Sequence, residues 1–356
     1  MNIAQIRLYN HQLLSKKFSA PEDLVEWKGA VQAQDLNMAK WAMGMRLNDS
    51  IMQDIDQAIN LGKITRTHIL RPTWHFVSSK DLHAFLSFSA PRIKLIAASR
   101  HKQLEINDAL LKKSHSIIIK TISVNGYATR ENIVEAFKIE NIALNNNRTA
   151  HILMLAELDG IICGGRIVNK KHSYVLINNH IPDPGKINKT VAMAKLAVQY
   201  FRSHGPATIE DFTWWSGLSI KEVKNTMETI KDKIERLEVN NHIYWMCPEH
   251  EFGGYDNPYL IIPAYDEYLI SYKDRSAVID TGKLKSAVSS NGIFRPVILK
   301  NGIVKGIWKR MIEKHTISIE INMFEKYFKE DRRNIEEKIF EYSRFLDKDI
   351  NTILWV

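Results

Sequence analysis

The sequence predicts an α+β fold: three small helical units in tandem, each closed by a β-hairpin, then a C-terminal domain rich in strands. Two observations carry this. First, Gly126-Tyr127-Ala128-Thr129 and Gly205-Pro206-Ala207-Thr208 open the same grammar. Each is followed by amphipathic segments and then by paired strand-like runs, Gly160-Ile161-Ile162 with Arg166 to Val175 in one case and Val239 to Met246 in the other. Helix, turn, helix and hairpin in that order is the pattern of a winged helix. The openings lie about 80 residues apart, the period of a tandem array of small domains rather than of a solenoid. Second, from residue 256 onward the pattern turns to strands, which predicts a small antiparallel sheet or β-barrel with one covering helix.

The elements follow in order. Ile3, Ile6, Leu8, Leu13 and Leu14 have helical spacing over residues 3–16. Ser19-Ala20-Pro21-Glu22 is a helix start with Ser19 as N-cap, and that helix is expected to run through Leu24, Trp27 and Val31. Further helices are expected over Met38 to Leu47 and over Ile51 to Leu61, the latter closed by Gly62. Ile64 to Leu70 and Thr73 to Val77 alternate as a hairpin. Residues 1–79 therefore form a first winged helix, more diverged than the others. Residues 80–180 form the second and begin with a helix from Asp81 through Leu95, which Pro91 is expected to kink or divide. Pro182-Asp183-Pro184-Gly185 is a linker, and residues 186–250 form the third. In 256–356, Tyr259 to Ala264 is a strand. Val297 to Leu299 and Ile303 to Arg310 flank an Asn301-Gly302 hairpin turn, Thr316 to Ile321 alternates, and Phe324 to Leu346 is helical.

Bulk properties narrow the class of function. The chain has 356 residues, 45% hydrophobic and 25% charged, so it is globular and large enough for several domains. Lys+Arg 49 against Asp+Glu 40 gives a net charge of +9, spread along the chain with no basic tail. A folded basic surface favours a polyanionic partner. Cys163 and Cys247 are the only cysteines, too few for a disulfide framework or a thiolate zinc site. The opening residues lack the apolar run of a signal peptide, and no stretch approaches the roughly 20 apolar residues that span a bilayer. The expected location is the cytoplasm, with no membrane partner. There is no GxxxxGK[ST] loop, no GxGxxG after a strand and no HExxH cluster among the 13 histidines, so no nucleotide, metal or other cofactor is indicated.

Four stretches carry candidate chemistry. Gln32-Ala33-Gln34 is placed by its flanks at the junction of two helices, where a turn aims both amides into one cleft. An amide holds a water by its carbonyl and a sugar or phosphate oxygen by its NH₂; the bland alternative is two surface amides. Tyr265 to Ser276 packs three tyrosines and five charges into twelve residues, including Asp266, Tyr268, Lys273 and Arg275. A structural ion-pair network and a site-facing surface weigh equally there, and the adjacent Asp266 and Glu267 suit acid–base work only if they diverge sharply. Arg71-Pro72-Thr73-Trp74-His75-Phe76 lies at the tip and return of the first wing, where Arg66, Arg71 and His75 are candidates for phosphate contact. A histidine between aromatics on a strand is more often packed. Lys300, Lys305, Lys309 and Arg310 flank the late hairpin, as an ordinary charged edge or as a hairpin presented to a groove. Trp214-Trp215 is expected in the core.

The ordered set Gln32-Ala33-Gln34, Arg71 to Phe76, Pro263 to Tyr268, Tyr272 to Ser276, and the late hairpin with Gly302 and Gly306-Ile307-Trp308 resembles a bacterial family. This is the family of winged-helix DNA glycosylases typified by the azinomycin-resistance enzyme. The likeness covers essentially the whole chain, and Trp74 departs from the smaller aliphatic residue expected at its place. The resemblance implies three tandem winged helices and a β-barrel shaped around double-stranded DNA. It implies hydrolysis of the N-glycosidic bond of alkylated purines, chiefly N7-alkylguanine, with unhooking of interstrand crosslinks in some members. It implies Gln32 and Gln34 as the catalytic pair, in the Gln-apolar-Gln branch. No lysine is placed as an obvious Schiff-base nucleophile, so a monofunctional glycosylase is expected. A monomer that needs no cofactor is expected as well. The alternative is a non-catalytic winged-helix regulator, which explains the repeats and the charge but leaves the Gln pair and the polar-aromatic run without a role.

Overall fold

The computed structural model describes residues 2–144, 147–248 and 258–356. The end of the third stretch read from sequence (249–250) and the start of the fourth (256–257) lie outside the described residues, as does residue 1. Packing divides the chain into two compact units. One comprises Met1–Ile55, Ala197–Trp215 and Ser219–Val356; the other comprises Asp56–Leu196 and Ser216–Leu218.

In the second unit the expected elements form around Gly126. A helix over Asp108–Asn125 is capped by Asn107 and ends on Gly126, whose φ of 76° is a left-handed geometry that suits glycine. The two-residue strand Ala128–Thr129 follows, and Thr129 caps the helix Arg130–Ile139 in a reciprocal box with Asn132. The helix Arg148–Leu158 leads into the hairpin Ile162–Val168 and Lys171–Leu176, whose inner strand pairs on its other side with Ala128–Thr129. Asn169 and Lys170 turn the hairpin, both at positive φ. Ile118, Ile122, Ile133, Phe137, Ile152, Leu153 and Tyr174 form its core. Earlier in this unit, Ile64–His68 pairs with Trp74–Ser78 as predicted. The helix Leu82–Gln103 runs through Pro91 without being divided there, so of the expected kink or division the division does not occur.

In the first unit the Gly205 region repeats these devices. Ala207 bridges to Trp245 as Ala128 bridges to Tyr174. Thr208 caps the helix Ile209–Ser216 through a reciprocal pair of hydrogen bonds with Asp211, both 3.0 Å. The helix Ile220–Thr229 and the hairpin Glu235–Val239 with His242–Met246 complete the pattern. Trp215 is buried as expected, but Trp214 is 44% exposed.

The C-terminal strands form an open sheet among the described residues, not the expected closed barrel. Its order is Asp349–Trp355, Thr316–Met323, Ile303–Ile312, Val297–Lys300, Tyr259–Ile262. The reason lies in the last connection. The helix Lys329–Leu346 crosses over the sheet, so the final strand joins Thr316–Met323 in parallel and ends at an edge. That helix buries Ile335, Ile339, Tyr342 and Phe345. Asn301 and Gly302, at φ 53° and 80°, make the predicted hairpin turn.

Both cysteines are buried and unbridged, and burial pushes the Cys163 thiol up to about 12. Among the described residues no helix is long and apolar enough to cross a membrane.

Candidate functional site

The Gln32-Ala33-Gln34 segment does not join two helices directly. The preceding helix starts at Pro21 with Ala20, not Ser19, at its cap, and it ends at Lys28. Gly29, at φ 78°, ends the helical run before Val31. The chain then extends as a short buried strand, Ala30–Gln32. Ala33 is fully buried and Gln34 is exposed. Asp35 then caps the helix Leu36–Gly44, its Oδ1 accepting from the amides of Asn37 and Met38 at 3.0 Å.

That helix is seated firmly. Trp41 donates to the Ile261 carbonyl at 3.2 Å and packs at a tilt against the rings of Tyr342 and Phe345. A Cβ on Gly44 would meet the Phe345 ring at 2.2 Å, so only glycine fits there. Arg310, from the long hairpin strand, reaches Asp35 at 3.3 Å and donates to the Tyr342 hydroxyl at 2.5 Å.

The polar-aromatic run supplies the floor. Asp266 and Glu267 diverge sharply, as two adjacent carboxylates must if both stay ionised. Asp266 takes a bidentate pair from Arg46 at 2.7 and 2.8 Å and caps the short helix Glu267–Ile270. Glu267 turns the other way, and its Oε1 accepts the backbone N–H of Gln32 at 2.5 Å. Its Oε2 accepts from the Trp215 indole at 2.9 Å and from the Ser271 hydroxyl, with His204 Nε2 3.4 Å away. Burial alone would raise the Glu267 carboxyl; His204, Lys28 and the Ser271 hydroxyl hold it well below the usual carboxylate range.

Charges continue inward. Lys28 lies 3.1 Å from His11 Nδ1, and burial together with the Arg46 charge pushes it down to about 7. His11 Nε2 meets the Tyr272 hydroxyl at 2.8 Å, and that hydroxyl donates to the His204 carbonyl at 2.6 Å. Arg7 lies over the Tyr272 ring at 3.6 Å and donates to the Pro206 carbonyl at 3.0 Å. These groups reach across long sequence separations, and of them the sequence reading singled out only residues of the 265–276 run. Their one sequence signal is the density of that run.

The other predicted site residues divide by exposure. Tyr268 is buried and donates to the carbonyls of Gly302 and Ala4, which pins the hairpin turn. Lys273 is exposed, while its backbone N–H rests on Asp211 at 2.8 Å. Arg275 is half-buried, with Nε on the Leu269 carbonyl and its guanidinium 5.0 Å from the Phe294 ring. In the second unit, Arg66 is buried with its guanidinium 4.0 Å from the Trp74 ring, and Arg71 is half-buried. His75 is fully buried and donates from Nδ1 to the Thr73 carbonyl, the packed outcome for a strand histidine. Lys300, Lys305, Lys309 and Arg310 are each paired with a carboxylate, as on a charged edge.

Comparison with known proteins follows this geometry. The model of the "AlkZ-like: DNA glycosylase AlkZ-like" family matches residues 25–345. The solved structure of the Streptomyces sahachiroi DNA glycosylase AlkZ superposes with a TM-score of 0.80 at 17% identity, covering 99% of this chain and 98% of that one. No curated protein matches the sequence. The family model spans nearly the whole chain, so this protein belongs to the AlkZ-like DNA glycosylase family and is a DNA glycosylase.

Proposed function

We propose that the enzyme hydrolyses the N-glycosidic bond of N7-alkylated guanine in duplex DNA, with Gln32 and Gln34 placing the attacking water. The observation that carries this reading is the mounting of the Gln segment. Its backbone is tied at Gln32 by Glu267 and stopped after Gln34 by the Asp35 cap; Gln34 is exposed and Gln32 is buried. A backbone fixed at both ends holds the two glutamines in a set relation, the condition for placing a water.

The chemistry suits amides. N7 alkylation leaves the guanine cationic and a good leaving group, so a strong general acid adds little. The transition state is oxocarbenium-like, as in glycoside hydrolysis, and the amide carbonyls hold the water beside C1′ while facing the developing sugar charge. No cofactor enters the step, and the product is an abasic site rather than a broken strand.

In this reading the repeated helix–hairpin units are three winged helices that hold the duplex, and the protein acts as a monomer. Arg71, Lys273 and Arg275 supply phosphate contacts. Arg66, Asp266, Tyr268 and His75, first candidates for DNA contact, hold the frame instead, because they are buried against protein.

The test is base release from a duplex with a single N7-methylguanine, followed by alkali. Strand scission by the wild type, lost in the Gln32→Ala/Gln34→Ala variant while DNA binding persists, is the expected result. Scission that persists in the variant rejects the Gln pair. Scission only from a crosslinked duplex moves the substrate to bulkier lesions. Binding should weaken steeply with salt, because phosphate contacts release counterions.

A further inference from the structure

The buried carboxylate of Glu267 is the unassigned group nearest the Gln segment. It has no route to DNA: the residue is 1% exposed and sits beneath the backbone. Three neutral donors converge on it, the Gln32 amide, the Trp215 indole and the Ser271 hydroxyl, with His204 beside them. Burying a carboxylate costs several kcal/mol unless it is fully hydrogen-bonded, and an apolar residue of similar size would cost less. A charge kept at such a place fixes something in position.

We infer that Glu267 is a positioning residue for base excision: its Oε1 holds the Gln32 backbone N–H and thereby sets the direction in which the Gln pair presents its amides. This rests on the reading of Gln32 and Gln34 as the water-placing pair. The division of labour on the carboxylate supports it. Oε2 is held by the Trp215 indole from another helix and by the Ser271 hydroxyl at the end of Glu267's own helix, which leaves Oε1 aimed at the strand. Ser271 lies one helical turn after Glu267, so its hydroxyl orients the carboxylate locally.

The decisive variant is Glu267→Gln. Its amide has one acceptor and one donor where the carboxylate has two acceptors, so it satisfies either Gln32 or the Trp215–Ser271 side, not both. The expected result is a fall of about 10- to 100-fold in the single-turnover rate of 7-methylguanine release, the scale of a misplacement near 1 Å. Affinity for intact duplex should hold, and backbone hydrogen exchange over residues 30–34 should quicken. Ser271→Ala keeps the charge and loosens its aim, so it should move both readouts in the same direction by less; it decides the matter if Glu267→Gln does not fold. Ile335→Ala, a cavity in the C-terminal helix of the same unit, serves as the control that lowers Tm and leaves the rate alone.

A folded Glu267→Gln protein with wild-type rate, or with unchanged exchange over 30–34, overturns the inference. Equal rate losses in Ile335→Ala and Glu267→Gln also overturn it, since the effect would then be general destabilisation. If the wild type releases no base, the reading of the Gln pair fails by itself. The exchange measurement then still decides whether Glu267 anchors the strand.

Discussion

The interior around Gly126 and the interior around Glu267 solve the same problem by opposite means. In the first, Ile118, Ile122, Ile133, Phe137, Ile152 and Leu153 fill the space between helices and hairpin with hydrocarbon. In the second, Arg7, His11, Lys28, Arg46, Asp211, Asp266 and Glu267 are all buried, and each is matched by a charge, a carbonyl, a hydroxyl, an imidazole nitrogen or a backbone N–H. The hydrocarbon interior gains stability from area removed from water. The charged one gains little net stability, because desolvation offsets the Coulomb attraction, but it tolerates few alternative arrangements. The candidate site is attached to the second, where orientation matters more than free energy.

The sharpest way to break this contrast is to remove one charge. Asp266→Leu strands the Arg46 guanidinium without its bidentate partner and should cost about 3–5 kcal/mol, read from the urea midpoint. Adding Arg46→Met should then recover most of that loss, since an apolar pair of similar volume avoids the desolvation. The remainder reflects the carbonyls of His11 and Ala42, which Arg46 also serves, and the cap at Tyr268. The hydrocarbon interior should behave in the opposite way. Ile133→Ala should cost about 2–5 kcal/mol, and adding Phe137→Ala should deepen the loss because both leave cavity. A double variant at Arg46 and Asp266 that stays as unstable as the single one would remove the distinction.

The two interiors were also unequally legible in the sequence. Hydrophobic period and turn chemistry predict the Gly126 region closely, and the same Ala-Thr device is visible at Ala207-Thr208. There the alanine pairs to an aromatic in the hairpin and the threonine caps the next helix. Such signals are local. The charged interior joins Arg7, Arg46, His204 and Glu267 through contacts far apart in the chain, so no window of sequence shows it; only the crowding of charges in Tyr265 to Ser276 hints at it. The Gln pair was visible as a motif, yet its mounting was not. Gly29 ends the helix, and the residues after it, which the periodicity assigns to that helix, form a strand. The barrel failed for a related reason, since alternation marks strands but not whether the last of them closes the sheet.

Acid is a smaller lever that acts on both interiors. Burial, with the Lys28 charge, pushes His204 down to about 4; burial, with the Arg66 charge, pushes His172, in the second unit, down to about 3. The unfolded chain takes up these protons near 6.5, and the folded chain does so only at lower pH. The contribution of these imidazoles is therefore full above 6.5 and lost as pH falls toward 4, by on the order of 1 kcal/mol per pH unit for each. Glu267, held low, contributes a loss of the same sign at more acid pH. Urea midpoints between pH 4 and 6.5 should rise with pH, and His172→Gln should flatten that slope. A flat wild-type profile would mean that these imidazoles accept protons without opening the fold.

The smallest expected effect sets the baseline for the others. On the C-terminal helix, Arg333 and Glu337 form an i,i+4 pair at 3.2 Å with side chains 80% and 57% exposed. Water screens the attraction there, two long side chains must be ordered to form it, and the arginine stands N-terminal to the glutamate, the less favourable order. Glu337→Ala should therefore shift stability by no more than about 0.5 kcal/mol, and the shift should vanish in 1 M salt, where the screening length is only about 3 Å. The same salt should leave the cost of Asp266→Leu nearly intact, because a buried pair is screened far less. If both losses shrank together, solvent would have access to Arg46 and Asp266, and the charged interior would be a wet surface rather than a fixed mount for the Gln segment.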